Sequence, residues 1–244
     1  MSRPAGPLDP LLRKIGYVPR AKAKPAGADD QLAAVLAAQG IDCVLDVGAN
    51  VGQYARRLRR IGYAGRIVSF EPSPAVHAAL ADNAAGDALW QVAPAMALAA
   101  QDGEAVLQIS AESDMSSLCA QRPVLQALSP SSAVTGAVTV RTARLDGLMR
   151  AFVPDGARIW LKLDVQGAEA AVLDGAAGVM ADLCAIQSET ALLPMYEGEL
   201  ELCGLLERLA GLGFEPHLIL PGYFERKLGR MTQVDVIACR PGLR

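Results

Sequence analysis

Short strand-like segments and longer helix-like segments alternate along the chain from Asp29 onward. Strands that alternate with helices pair in parallel, because each helix carries the chain back across a face of the sheet. We therefore predict a doubly wound α/β domain with helices on both faces of one sheet. The predicted strands are seven, at residues 43–47, 66–70, 89–92, 158–164, 183–188, 215–220 and 234–239. The predicted helices lie near residues 31–39, 52–61, 74–84, 145–151, 167–179 and 199–212.

The end of the predicted sheet differs from the rest. Residues 221–233 leave no room for a crossover helix, so the last two strands are expected to form an antiparallel hairpin. Two further strand-like pieces, 105–110 and 137–142, flank a serine-rich stretch. We interpret residues 105–142 as a flap inserted into a domain that spans 29–244.

The N-terminal residues 1–28 have a different composition, with five prolines and six basic residues. This composition is typical of a partly ordered basic, proline-rich arm outside the folded domain. We predict no function for this arm.

Composition excludes several classes of function. A total of 23 Lys and Arg against 26 Asp and Glu gives a net charge of -3, too close to neutral for a sequence-independent grip on nucleic acid phosphates. The five cysteines form no Cys-x-x-Cys pair, so the spacings of zinc and redox motifs are missing and buried reduced thiols are expected. No apolar run approaches the roughly 18 residues of a spanning helix, and no leader-type apolar stretch follows the first basic residues. We expect a cytoplasmic protein without a transmembrane segment or a nucleic acid partner.

The segment VLDVGANVGQYARRL passes from a buried strand through glycines into a helix. This geometry presents free backbone N–H groups to a ligand. Gly48 and Gly52 are four residues apart, whereas dinucleotide pyrophosphate binding uses a G-x-G-x-x-G spacing with a third glycine. A ligand with a carboxylate and an ammonium group fits better, because backbone donors lie beside the Asp46 carboxylate.

Glu71 ends the second predicted strand, nineteen residues after Gly52, and Pro72 stops that strand. A carboxylate at this position can accept hydrogen bonds from both ribose hydroxyls of an adenosine, each worth about 1.5–3 kcal/mol. Alone, either the glycine turn or the strand-end glutamate fits an ordinary turn with a solvated carboxylate. Together, in this order and at this distance, they indicate a nucleoside site.

These residues resemble the FkbM family of methyltransferases, and the resemblance spans roughly residues 42–240. It rests on LDVGANVGQYA, SFEPSP, Asn83, the loop at 93–95 and LKLDVQGAEAAVLDGA. It implies the class I methyltransferase fold, which is Rossmann-like, S-adenosylmethionine as methyl donor, and O-methylation of a sugar or natural-product hydroxyl. The cofactor-binding residues that it implies are Asp46, Gly48, Asn50 and Gly52 at the methionine end, Glu71 at the ribose, and Pro72 and Ala95 nearby. Ser116 and Ser117 match a serine-rich stretch of such relatives.

The strand at 158–164 supplies the predicted chemistry on the acceptor side. Its alternation places Lys162 and Asp164 on one face, with Asp164 at the carboxyl end, where ligands bind in open α/β sheets. An alcohol must lose its proton during methylation, so a carboxylate within hydrogen-bond reach can act as general base. Asp164 is the first candidate, followed by Glu169 and Glu189. We expect a salt link between the buried Lys162 and a neighbouring carboxylate.

One position departs from the family pattern. Relatives commonly have a glutamate where this chain has Gln166. Glutamine can form hydrogen bonds there, but it cannot supply charge to a metal or an acceptor. The sequence therefore assigns no metal, and it leaves the acceptor and the oligomeric state open.

Two other interpretations remain open at this point. A nicotinamide-dependent oxidoreductase would share the fold and Glu71, but the two-glycine loop and the lack of a Tyr-x-x-x-Lys pair weigh against it. A non-catalytic scaffold that keeps only the donor pocket is favoured by Gln166. The presence of Asp46, Glu71 and Asp164 together favours an active enzyme.

Overall fold

A computed structural model of the 244-residue chain describes residues 27–242. The basic arm predicted for residues 1–28 lies outside the described residues except for its last two positions. Within residues 27–242 the chain forms twelve strands. In chain order they are β1 (Cys43–Val47), β2 (Arg66–Phe70), β3 (Trp90–Val92), β4 (Ala97–Leu98), β5 (Gly103–Ser110), β6 (Val134–Ala143), β7 (Ile159–Leu163), β8 (Leu183–Ala191), β9 (Glu215–Pro221), β10 (Phe224–Glu225), β11 (Arg230–Met231) and β12 (Gln233–Cys239).

The main sheet has seven strands in the order β3-β2-β1-β7-β8-β12-β9. Strands β3, β2, β1, β7 and β8 pair in parallel, and β12 runs antiparallel to both of its neighbours. This arrangement confirms the predicted seven-stranded sheet with an antiparallel last hairpin. From β1 the chain builds the sheet outward to β3, and from β7 it builds the sheet outward on the other side, so the topological switch point lies between β1 and β7. In such sheets ligands bind outside the carboxyl ends of the strands near that point.

Within the described residues 27–242 there are seven α-helices. In chain order they are α1 (Ala28–Ala38), α2 (Gln53–Arg60), α3 (Pro74–Ala84), α4 (Pro123–Leu128), α5 (Leu145–Phe152), α6 (Glu169–Gly175) and α7 (Leu202–Gly211). Alternate strand residues face opposite sides of the sheet. Val44 and Trp160 accordingly pack with residues of α1, α2 and α3, and Leu45 and Leu161 pack with residues of α5, α6 and α7. The two resulting hydrophobic cores confirm the doubly wound prediction.

One predicted helix is shorter than expected. The pattern predicts a helix near 167–179, but α6 ends at Gly175 and a separate 3-10 helix follows at Ala177–Asp182. Glycine has a low helix propensity. It is also required here, because a Cβ on Gly175 would lie 2.0 Å from the carbonyl oxygen of Ala99.

A second sheet contains three strands in the order β4-β6-β5. Strands β5 and β6 pair antiparallel, and they contain the predicted strand-like pieces 105–110 and 137–142. The connection between them contains α4, and its backbone is joined to the loop after β8 through Arg122 N and Met195 O, 2.8 Å apart. The role of this insertion as a flap stays a prediction. Among the described residues, no helix has the length and apolar character needed to cross a membrane.

Candidate active site

A cavity of about 660 Å³ opens at the carboxyl ends of the central strands. Its floor follows from the strand register, because the residues directly after β2, β1 and β7 lie side by side with the end of β8. Glu71, Gly48, Asp164 and Glu189 hold these positions, and Asp235 of β12 is paired with Glu189. All five line the cavity. Donor and acceptor candidates therefore share one continuous space.

A buried polar row crosses the sheet below this floor. Ser69, Asp46, Lys162 and Gln187 occupy paired positions on four neighbouring strands. Lys162 Nζ lies 3.2 Å from Asp46 Oδ1 and 3.3 Å from Asp164 Oδ2, which confirms the predicted salt link. Burial opposes the charged form of Lys162, but Asp164 and Asp46 more than offset it and raise the lysine pKa above its ordinary value. A permanent cation therefore supports the floor of the cavity.

The turn after β1 is fixed by its two glycines. Gly48 has φ of +75°, and a Cβ there would lie 1.8 Å from the carbonyl oxygen of Asp164. Gly52 has φ of +84°, and a Cβ there would lie 2.5 Å from the Trp90 ring. Only glycine combines this backbone conformation with such close approach. The turn therefore abuts the strand end that carries Asp164.

Glu71 is anchored by the backbone of the turn. Its Oε2 accepts a hydrogen bond from Asn50 N at 3.0 Å, and its Oε1 accepts one from Ser73 N at 2.9 Å. Burial raises the pKa of Glu71, and these two N–H groups partly offset that effect. A carboxylate has about four acceptor positions, so two remain for ligand hydroxyls.

The structure separates the predicted cofactor residues into two groups. Those that line the cavity are Gly48, Asn50, Glu71 and Pro72. Asp46 is fully buried beneath the cavity and holds Lys162, so its carboxylate is not positioned to contact a ligand. Gly52 caps α2 instead of facing the cavity, and Ala95 is exposed while Met96 lines the wall.

The cavity residues nevertheless fit an adenosine-type methyl donor. The Asn50 side chain presents an amide Nδ2 that is buried without a hydrogen-bond partner among residues 27–242. The glycine turn brings backbone close to the cavity, and Glu71 keeps free acceptor positions beside it. A donor with a carboxylate at one end and ribose hydroxyls at the other would meet complementary groups at both.

Gln166 joins two carboxylates on the opposite side of the cavity. Its Nε2 donates to Asp164 Oδ1 at 2.9 Å and to Glu189 Oε2 at 3.0 Å. Its backbone has φ of +56°, and its carbonyl accepts a hydrogen bond of 2.6 Å from the hydroxyl of Ser117 in the insertion. A glutamate here would place a third carboxylate between the other two. The neutral amide instead supplies both with donors.

Glu169, a predicted catalytic residue, does not line the cavity. Its Oε1 accepts from Val165 N at 3.0 Å and its Oε2 accepts from Gly167 N at 3.1 Å. Burial raises the pKa of Glu169 to about 7. Glu169 therefore holds the loop between β7 and α6, and its position gives no support to a role as base.

Two polar residues of the site, Gln187 and Asp235, are not among the predicted site residues. Gln187 lines the cavity; its Oε1 accepts a hydrogen bond of 2.6 Å from Tyr54 Oη, and its Nε2 donates to Asp235 Oδ1 at 3.2 Å. The available signal was a single polar residue inside an apolar strand, CAIQS for Gln187 and VDVIAC for Asp235. Ser116 and Ser117, singled out by resemblance, both line the cavity. Within residues 27–242, no group of three or more His, Cys, Asp or Glu side chains is arranged to hold a metal ion.

Comparison with known proteins gives a family match and several structural likenesses. The family described as the Methyltransferase FkbM domain matches residues 46–216. A protein from Thermobifida fusca assigned as a methyltransferase has a TM-score of 0.50 and 10% identity, over 86% of this chain and 77% of that chain. Magnesium protoporphyrin IX methyltransferase from Synechocystis PCC 6803, solved with bound SAM, has a TM-score of 0.46 and 12% identity, over 87% and 77%. A comparison with curated protein sequences gave no match.

The likeness to the Thermobifida fusca structure concerns the fold alone, because the identity is only 10%. The family match extends over more than half of the chain, and it includes the glycine turn, Glu71 and the segment from Asp164 to Glu169. The chain therefore belongs to the FkbM family of methyltransferases, which use S-adenosylmethionine as methyl donor.

Proposed function

We propose that this methyltransferase transfers a methyl group to a hydroxyl of a sugar or natural-product acceptor. The observation that carries the proposal is the shared cavity, where Gly48, Asn50 and Glu71 face Asp164 and Glu189. Donor-type and base-type groups thus border one space. In-line positioning of two reactants can contribute up to about 7–11 kcal/mol to the barrier reduction.

The turn after β1 would hold the methyl donor. When bound, S-adenosylmethionine supplies an electrophilic methyl group. Glu71 would accept hydrogen bonds from the ribose hydroxyls, and Asn50 with the Gly48 backbone would face the methionine end. Pro72 would border the nucleoside.

Asp164 is proposed as the proton acceptor. Its carboxylate is held by Lys162 Nζ at 3.3 Å and Gln166 Nε2 at 2.9 Å, and its side chain remains 36% exposed. An acceptor hydroxyl that donates to the free positions of this carboxylate would point its oxygen lone pair away from Asp164 and lose its proton to it. Asp164 would thus both orient and activate the hydroxyl.

Glu189 is proposed to bind the acceptor instead of serving as base. Burial and the neighbouring Asp164, Asp235 and Glu169 raise the pKa of Glu189 well above its ordinary value. The Asp164 side chain is 36% exposed, so it is the better placed of the two to contact an acceptor hydroxyl.

The proposed partner is a small molecule or glycan, and nucleic acid is not part of the proposal. The acidic floor formed by Asp164, Glu189 and Asp235 would repel phosphate groups. A cytoplasmic location belongs to the same proposal and rests on the sequence argument from the cysteines.

Methyl transfer from isotopically labelled S-adenosylmethionine to a panel of glycosides and polyketide-like alcohols tests the proposal. We expect a labelled methyl ether, located by mass spectrometry and NMR, with Glu71→Ala as the variant with weakened donor binding. Label found only on nitrogen, sulfur or carbon would contradict it. Donor binding without transfer to any alcohol would favour the scaffold interpretation.

A further inference from the structure

Two carboxylates stand directly opposite each other where β8 and β12 pair. Asp235 is the register partner of Glu189, and both line the cavity. Side chains at opposed positions of an antiparallel pair have Cβ atoms about 4.5–5.5 Å apart, and like charges there destabilise a sheet. The pairing of these two carboxylates therefore destabilises the sheet at the edge of the site.

The nearby cations do not offset this arrangement. Lys162 and Arg57 both act on Asp235, but each is paired with another carboxylate. Lys162 Nζ contacts Asp46 and Asp164, and Arg57 Nε lies 2.7 Å from Asp29 Oδ1. Neither of these two cations forms an ion pair with Glu189 or Asp235.

The carboxylate oxygens in this part of the cavity outnumber the hydrogen-bond donors that reach them. Gln166 Nε2 is engaged by Asp164 and Glu189, and Gln187 Nε2 is directed at Asp235 Oδ1. Gln233 Nε2 adds a second bond to Glu189 Oε2 at 3.1 Å. Glu189 Oε1 and Asp235 Oδ2 accept nothing from any residue within 27–242. A complementary ligand must therefore bring hydrogen-bond donors.

An unpartnered amide oxygen at the same wall of the cavity also indicates a ligand with hydrogen-bond donors. Gln166 lines the cavity and is only 9% exposed, and its Oε1 has no hydrogen-bond donor in the described part of the chain. Buried polar atoms are normally paired. This orphan acceptor is independent of the carboxylate pair, and it too calls for a donor.

We propose that Glu189, Asp235 and the Gln166 amide oxygen form a subsite for a second donor group, a hydroxyl or an ammonium, next to the hydroxyl that is methylated. The inference rests on the proposed function for the position of that hydroxyl. It adds the requirement for a vicinal diol or amino alcohol and makes Asp235 a specificity-determining residue.

Calorimetric titration of the S-adenosylhomocysteine-bound protein with simple methyl glycosides tests this subsite without requiring turnover. The probes are matched sets: a glycoside with vicinal hydroxyls, its monodeoxy analogues and its 2-amino-2-deoxy analogue. We expect the diol to bind about 10- to 100-fold more tightly than the deoxy analogue that lacks the recognised hydroxyl, as expected for a hydrogen bond to a charged group. Comparison of the diol with the amino analogue shows whether the subsite binds a hydroxyl or an ammonium group.

Asp235→Asn is the decisive variant, because it keeps the oxygen that accepts from Gln187 and removes the charge. We expect it to lower the preference for the diol to about threefold or less, while Asp155→Asn, an exposed carboxylate away from the cavity, keeps the full preference. If Asp235→Asn fails to fold, Glu189→Gln gives the same comparison.

Equal binding of diol and deoxy probes would overturn the subsite, as would an unchanged preference in Asp235→Asn and Glu189→Gln. Failure of every glycoside in the panel to bind would overturn it as well. Failure of the proposed function has a different signature, because glycosides would then bind with the expected preference and receive no methyl group.

Discussion

The two sides of the cavity are built in different ways. The proposed donor side comes from one stretch, Gly48 to Ser73, and is shaped by backbone: a left-handed turn and two N–H groups that fix Glu71. On the proposed acceptor side, the Gln166 amide joins Asp164 to Glu189, and the Gln187 amide donates to Asp235. The first side depends on local chain geometry, and the second depends on how β7, β8 and β12 align.

This difference separates the expected consequences of substitution. Changes at the donor side should alter donor affinity and leave acceptor recognition intact. Changes among the linked carboxylates should alter turnover or acceptor choice, with little effect on the donor. The following predictions test whether the two sides are separable in this way.

The largest effect is expected for Asp164→Asn, which keeps the shape of the side chain and removes its charge. If Asp164 accepts the proton, turnover should fall by about 10²- to 10⁴-fold while donor affinity stays nearly constant. The acidic limb of the pH–rate profile should move or vanish. A variant with lower thermal stability but normal turnover per folded molecule would assign Asp164 only to the support of Lys162.

Glu71→Ala should weaken S-adenosylmethionine binding by about 10- to 100-fold, because a charge-assisted pair of ribose bonds is lost. Calorimetry measures the affinity, and Glu104→Ala, an exposed carboxylate outside the cavity, serves as control. Unchanged affinity in Glu71→Ala would place the ribose acceptor elsewhere.

Gln166→Glu should lower turnover about 10-fold near neutral pH, since it removes two hydrogen bonds and inserts a carboxylate between Asp164 and Glu189. Part of the loss should return as pH falls and the added charge is neutralised. Donor affinity should not change. Equal turnover at all pH values would show that the amide bridge is dispensable.

The last effect is on stability alone and concerns Glu169, whose pKa burial raises to about 7 from an ordinary value of 4.5. The folded state then binds the proton more tightly than the unfolded state. Its stabilising contribution is complete below about pH 4.5 and is lost as pH rises through 7. Denaturant unfolding of Glu169→Gln across this range should show a shallower decline in the free energy of unfolding than wild type.

The exposed Glu207→Gln is the matched control for that measurement and should keep the wild-type slope. An identical slope in Glu169→Gln would mean that Glu169 titrates normally in the folded protein.

The same contrast explains what the sequence could and could not predict. Hydrophobic periodicity identifies the seven sheet strands, and the 221–233 connection correctly predicts the final antiparallel pairing. The spacing of Gly48, Gly52 and Glu71 points to the donor pocket because those residues act within one strand-turn-helix unit. Asp46 was expected to face a ligand, but its register next to Lys162 buries it, and alternation along one strand does not reveal which neighbour it meets.

Asp235 and Gln187 show the limit of local patterns. Their function depends on lying opposite Glu189 and beside Lys162, and these pairings link positions distant in sequence. A single polar residue in a buried strand indicates an unusual position, but the sequence does not show which residue it contacts. The insertion presents the same difficulty, because Ser117 meets Gln166 only through tertiary packing.

The most direct test is calorimetric titration of S-adenosylhomocysteine into wild type, Glu71→Ala and Asp164→Asn. We expect one ligand per chain, about 10- to 100-fold weaker binding in Glu71→Ala, and a less than twofold change in Asp164→Asn. Saturating ligand should also raise thermal stability, by about 2.7 kcal/mol at 100 times Kd, and NAD at the same concentration should stabilise less. No binding by a folded preparation, or equal losses in the two variants, would contradict a cavity whose donor and acceptor sides are separate.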